Sequence, residues 1–130
     1  MVAAIIEYDR SILACVRAES PYAGELDLPG GFVDHEETAE QALRRELKEE
    51  LNLREFMPVY LGSYPDVYPY KSVTYRTLTL TFAVRLHTIP DITPADDVAS
   101  IAWIKRSDLK VEDFAFASMQ AALSAYDRTN

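Results

Sequence analysis

The segment LRRELKEELNL, residues 43 to 53, constrains this chain more than any other. Its leucines mark a helix that runs from a cap at Thr38 to about Leu51, with Asp34 as the other candidate cap. At about 100° of rotation per residue, Glu46, Glu49 and Glu50 fall within an arc of roughly 100°. Ala39, Ala42, Leu43 and Leu47 occupy or border the same arc. Carboxylates ordinarily take the solvated side of an amphipathic helix. Here Glu46 and Glu50 lie inside the apolar stripe, and as an i,i+4 pair of like charge they repel. A fold that buries this side must supply cations or suffer the desolvation.

Two readings meet that demand. In one, the glutamates form a solvated face with Arg44, Arg45 and Lys48 as partners. In the other, they face a cleft that holds divalent cations. Mg²⁺ and Mn²⁺ prefer oxygen ligands, and carboxylates at i, i+3 and i+4 present them from adjacent turns. The residues ahead of the helix favour the second reading. Gly30 and Gly31 stand between an apolar strand and the helix, where a backbone without Cβ can bend or approach a ligand closely.

From Gly31 the chain reads Gly, five residues, Glu37, seven residues, Arg45-Glu46-Leu47, one residue, Glu49-Glu50, one residue, Asn52-Leu53. This resembles the Nudix box, G-x5-E-x7-R-E-U-x-E-E-x-G-U with U a bulky aliphatic. One fixed position departs, Asn52 standing where the family has glycine. Asn is the next best residue for a left-handed helix end, so the cap is expected to survive.

The resemblance implies an α+β chain with the Nudix fold, an α/β/α sandwich with a mixed β-sheet between helices, in a single domain over residues 1–130. It implies hydrolysis of a nucleoside diphosphate linked to another group, with Mg²⁺ or Mn²⁺ as cofactor. Carried onto matching positions, Glu46, Glu49 and Glu50 are expected to bind metal, with Glu37 supporting the site and the Gly30 and Gly31 carbonyls available as ligands. Arg45 is expected to pair with Glu37 or Glu49 and orient a ligand. Metal ions neutralise pyrophosphate oxygens and lower the pKa of a water, and a carboxylate completes its deprotonation. Glu50 or Glu49 can be that base, as can an acid of the Asp96-Asp97 pair, which otherwise reads as a solvated turn. Arg17 matches a basic position that meets phosphate in the family; a surface pair with Glu19 is the competing reading.

The net charge of −8 argues against a nucleic-acid-binding surface and would repel phosphorylated ligands unless cations reverse the local sign. No apolar run approaches a membrane span and no signal-peptide pattern opens the chain, so a cytoplasmic home and no membrane partner are expected. The single Cys15 lies in an apolar run and reads as a small buried residue. The family resemblance leaves a homodimer open.

VAAIIEY and SILACVRA read as strands joined by a tight turn, and ESPYAGELD as a loop. The first strand begins at Val2, which leaves room for an upstream element. REFMPVYLGSY reads as a strand interrupted at Pro58, hence an edge or a bulge. VTYRTLTLTFAVRL has the clearest period of two, with Leu78, Leu80, Phe82, Val84 and Leu86 on one side. After the loop HTIPDITPADD, ASIAWIK is a short strand and VEDFAFASMQAALSAYDR a closing helix. Trp103, Phe114 and Phe116 are expected in the core.

Substrate choice falls to the loops. YPDVYPYKS, with two prolines and three tyrosines, reads as a structured loop. With Gly62 and Ser63 before it, it is similar to the serine-, proline- and aromatic-rich array downstream of the box in Nudix hydrolases acting on NADH. Tyr64 and Asp66 depart from that array, and one residue is extra. Tyr64, Tyr68 and Tyr70 are the candidates to stack on a base or ribose, the competing reading being a rigid loop packed on the domain. The expected substrate is a dinucleotide such as NADH or ADP-ribose. The alternatives are a nucleoside triphosphate pyrophosphatase and a non-catalytic nucleotide-sensing domain.

Overall fold

The computed structural model describes residues 1–19, 22–88, 91–94 and 98–129. Strands β1 (Val2–Tyr8) and β2 (Ser11–Arg17) form a hairpin whose turn holds Asp9 and Arg10 at positive φ. Only the turn end of this hairpin is paired, through Glu7 with Ile12 and Tyr8 with Ser11. Beyond it the two strands splay. The short strand β3 (Leu26–Asp27) pairs with β2, and β4 (Gly30–Gly31) pairs with β1. The chain from Leu26 to Gly31 therefore crosses the gap the hairpin leaves open.

The sheet continues with β5 (Pro58–Tyr70), β6 (Val73–Leu86) and β7 (Val98–Lys105). β6 lies parallel to β1, β5 pairs antiparallel with β6 at the edge, and β7 runs antiparallel to β2. Helices α1 (Ala39–Leu51) and α2 (Ala117–Thr129) cover opposite faces, which gives the expected α/β/α sandwich. Strand parity sorts the core. Val2, Ala4, Ile6, Phe82 and Val84 meet Leu43, Leu47 and Leu51 of α1, whereas Ala3, Ile5 and Ala83 meet Ala122, Leu123 and Tyr126 of α2. Each of those α1 leucines is fully buried, worth about 1.5–3 kcal/mol apiece.

Both ends of α1 follow from local chemistry. Thr38 accepts a hydrogen bond from the Gln41 backbone, and the Gln41 side chain accepts one from the Thr38 backbone. Asn52 stands in the left-handed conformation (φ 57°, ψ 28°) and donates its N–H to the Leu47 and Lys48 carbonyls.

Four expectations change. The YPDVYPYKS segment is not a loop: residues up to Tyr70 extend β5, and only Lys71 and Ser72 turn. β5 tolerates Pro65 and Pro69 because it is an edge strand, where every second N–H faces away from its partner. Pro58 begins this strand rather than interrupting it, and the bulge falls at Leu61. The closing helix is shorter than VEDFAFASMQAALSAYDR. Residues 111–113 make a 3₁₀ turn, Phe114 plugs the core beside β3, and the Ala115 N–H donates to the Leu26 carbonyl, so α2 starts at Ala117. Trp103 is not a core residue. It is 38% exposed and meets Tyr8 edge-on at 6.3 Å. No helix among the described residues is long and apolar enough to cross a membrane.

Candidate active site

The splayed end of the β1–β2 hairpin opens a cleft of ≈ 490 Å³, a volume suited to a nucleotide-sized ligand. Glu50, Gly30 and Gly31 border it at one end; Phe116, Tyr68 and Asp66 border it elsewhere. Glu50 of α1, Tyr68 of β5 and Phe116 just before α2 thus share one cavity.

Close approach explains the two glycines. A Cβ on Gly30 would lie 2.1 Å from the Val2 carbonyl oxygen, and one on Gly31 would lie 2.5 Å from the Glu46 carboxyl. With hydrogen in both places, β4 seats against β1 while Glu46 packs over it. The Gly30 N–H donates to Glu50 Oε1 at 2.9 Å, which turns that carboxylate toward the strand.

Arg45 organises the remaining acids. Its guanidinium grips Glu37 with two hydrogen bonds of 2.7 and 3.0 Å. It also donates to Glu46 at 2.8 Å, to Glu49 at 3.3 Å and to the Phe32 carbonyl at 2.9 Å. Asp34 lies 3.3 Å from its Nε. These contacts raise the Arg45 pKa, through Glu37 first and then Glu46. The same Arg45 hydrogen bonds, with the Asp34 N–H, hold Glu37 below the usual carboxylate range. Glu46 moves the other way. Burial pushes it up, and the charges of Glu49 and Asp34 add to the rise, against the pull of Arg45.

The donor set therefore carries four carboxylates, Asp34, Glu37, Glu46 and Glu49, around one guanidinium. Excess negative charge on hard oxygen ligands suits Mg²⁺ or Mn²⁺. Among the described residues, however, no three acidic, histidine or cysteine side chains converge closely enough to enclose an ion. The reason is visible: Glu37, Glu46 and Glu49 are turned onto Arg45, while Glu50 is held by Gly30.

The other sequence candidates separate. Arg17 is not a surface residue: its side chain is 17% exposed, pairs with Asp27 at 2.8 Å and lies 5.0 Å above the Phe116 ring. Tyr68 lines the cleft and packs on Phe116 with centroids 5.5 Å apart. Tyr64 is half-buried against the α2-side core and is not among the residues that line the cleft. The Tyr70 side chain, Asp96 and Asp97 lie outside the described residues.

Residues that sequence reasoning passed over also line the cleft. Asp66 accepts a hydrogen bond from Ser118 Oγ at 3.0 Å. Its signal was the alternation of Tyr64, Asp66 and Tyr68 against Pro65, Val67 and Pro69, which is strand periodicity. Asp27 is an acid set between Leu26 and Leu28 just before the glycines. Phe116, expected in the core and buried there, also borders the cleft and is met edge-on by Tyr22 at 5.5 Å; only its cleft role carried no local signal, since docking on β3 places it.

The NUDIX domain model matches residues 1–123. The chain belongs to the Nudix family. Over 121 residues it is 31% identical to the nucleoside triphosphatase NudI of Enterobacter sp. (strain 638), covering 87% of this chain and 86% of that protein. Over 64 residues it is 47% identical to the ADP-ribose pyrophosphatase of Methanocaldococcus jannaschii, a match spanning 48% of this chain but only 38% of that relative's length. Among solved structures, a bifunctional NMN adenylyltransferase/ADP-ribose pyrophosphatase from Francisella tularensis, complexed with AMP and a manganese ion, superposes with a TM-score of 0.75 at 26% identity. That match covers 99% of this chain and 41% of the other.

Proposed function

We propose that this chain is a divalent-metal-dependent Nudix pyrophosphohydrolase acting on a nucleoside diphosphate linked to another group, with ADP-ribose as the first candidate. One observation carries the reading: Glu50 of α1, the Gly30–Gly31 backbone and the aromatic pair Phe116–Tyr68 line the same cleft. Such a cleft can seat a base at one end and a pyrophosphate at the other. Glu46, Glu49 and Glu50 would hold the cation, supported by Glu37 and the Gly30 and Gly31 carbonyls. When bound, that cation supplies neutralisation of the pyrophosphate and acidification of a water. Arg45 keeps the acids clustered against their mutual repulsion and releases Glu46 and Glu49 to the site. Glu50, at the cleft wall, is the candidate general base.

The names of the relatives support ADP-ribose and a nucleoside triphosphate as substrate classes. The match to the nucleoside triphosphatase runs over most of both chains and is the observation that favours the second class. NADH loses ground because the segment similar to the NADH-type array forms an edge strand, with Tyr64 half-buried against the α2-side core.

The test is hydrolysis of a panel with Mg²⁺ or Mn²⁺: ADP-ribose, NADH, nucleoside triphosphates, dinucleoside polyphosphates and nucleotide sugars. Chromatography identifies the products, with Glu50→Gln as control. Release of AMP from ADP-ribose, slowed ~10²-fold or more in the variant, supports the proposal. A wild-type protein that binds nucleotide and turns over no panel member points instead to a sensor domain.

A further inference from the structure

We propose that Asp27 sets base preference in the cleft, its carboxylate accepting a hydrogen bond from an exocyclic amine on the bound nucleobase. The inference rests on the nucleotide reading above and goes beyond it to the choice of base. Asp27 lines the cleft, and its Oδ2 receives the Arg17 guanidinium at 2.8 Å. Its Oδ1 is buried and has no hydrogen-bond partner, the one such side-chain atom among the described residues. An acceptor left in that state is costly, and a donor brought by a ligand relieves the cost. Burial pushes the Asp27 carboxyl up from its ordinary value although Arg17 and the nearby Leu28 N–H pull it down; that N–H does not reach hydrogen-bond geometry with Oδ1.

Geometry places this acceptor at the edge of the aromatic cluster. The same Arg17 guanidinium that pairs with Asp27 lies 5.0 Å above the Phe116 ring, and Tyr68 packs on Phe116 from another side. A base seated among these rings presents its faces to them and its polar edge sideways. Adenine-type bases carry an amine donor on that edge, and hypoxanthine carries a carbonyl acceptor at the same position. The Asp27 side chain is 21% exposed, and the torsion about its Cβ–Cγ bond is soft, so a small rotation turns Oδ1 toward the cavity with Oδ2 kept on Arg17. Asp66, another acid of the cleft lining, is already engaged by Ser118.

Arg17 gives the proposal a sharp test. In Asp27→Asn the guanidinium still demands an acceptor, so the amide oxygen faces Arg17 and the amide NH₂ faces the cavity. The preference should then invert toward a carbonyl base. The experiment measures Kd for AMP and for IMP without metal, and kcat/KM for adenosine and inosine 5′-diphosphoribose with Mn²⁺. Wild type is expected to favour the amine by roughly 10- to 100-fold, Asp27→Asn to favour the carbonyl, and Asp27→Ser to approach parity. A wild-type ratio near one, or an equal loss for both ligands in Asp27→Asn, overturns the proposal. If no diphosphoribose is hydrolysed while the AMP preference and its inversion hold, the enzymatic reading fails and the role of Asp27 stands. If both are hydrolysed equally well, the enzymatic reading stands and the role of Asp27 falls.

Discussion

A methyl group added at Gly30 or at its neighbour Gly31 should separate the stability of the fold from the working of the site. At Gly30 the new Cβ meets backbone only: the Val2 oxygen at 2.1 Å, the Ala3 Cα at 2.8 Å and the Val2 carbon at 2.9 Å. β1 cannot retreat, because β6 is paired along its whole length on the other side. Overpacking of this kind costs about 3 kcal/mol, the upper part of the usual range. At roughly 3–4 °C per kcal/mol for a chain of this size, Gly30→Ala lowers the thermal midpoint by about 10 °C. At Gly31 the obstacle is the Glu46 carboxyl, with Cδ and Oε1 each at 2.5 Å, the far end of a side chain that can rotate. Gly31 has no positive φ, so alanine fits its backbone. Gly31→Ala then sacrifices the 2.8 Å bond from Arg45 to Glu46, about 1 kcal/mol, and the midpoint falls by only about 3–4 °C. Turnover should fall ~10²-fold, because a proposed metal ligand has moved. Circular-dichroism melts and Mn²⁺-dependent ADP-ribose hydrolysis on both variants give the comparison. Gly31→Ala melting as early as Gly30→Ala, or turning over at the wild-type rate, would refute the reasoning.

Three other outcomes follow from the same geometry. Glu37 is held below its ordinary value of 4.5, so its contribution to stability is present above about that pH and lost as pH falls through the lowered folded value. Melts of wild type and Glu37→Gln from about pH 6 to about pH 3 should converge at the acid end; a constant offset contradicts the Arg45 linkage. Tyr126 donates to Glu7 at 2.6 Å, so Tyr126→Phe should cost about 1–3 kcal/mol, read as a lower urea midpoint at unchanged slope. Asn52→Gly should stabilise the fold by up to about 1 kcal/mol, read as a slightly higher thermal midpoint, because glycine takes the left-handed cap without strain. A lowered midpoint would show that the Asn52 side chain, which accepts from Arg54 at 3.2 Å, holds the cap instead.

Legibility in the sequence tracked the range of the interactions. α1 was readable to its ends because its caps are local: Thr38 with Gln41 at the start, Asn52 at the finish. The alternation of β6 survived for the same reason, although Leu78 at its outer end is exposed and Thr79 and Thr81 on the opposite side are buried. From Tyr64 onward β5 is not legible locally, because its prolines signal a loop, whereas an edge position next to β6 accommodates them. The α1 carboxylates stand out by their spacing, and the resemblance to the Nudix box supplies the metal-binding role proposed for them. The cleft roles of Phe116 and Asp27 were not legible, since one reaches the cleft through the docking of residues 111–116 on β3 and the other through the splay of β1 from β2.

The central claim, that the α1 carboxylates form a divalent-metal site at this cleft, is tested most directly by titrating Mn²⁺ and following the free ion by electron paramagnetic resonance. The account predicts Mn²⁺ binding by the wild-type protein, strengthened by AMP, with affinity reduced about tenfold or more in Glu46→Gln and Glu50→Gln variants that remain folded. Unchanged Mn²⁺ affinity in both variants would contradict it.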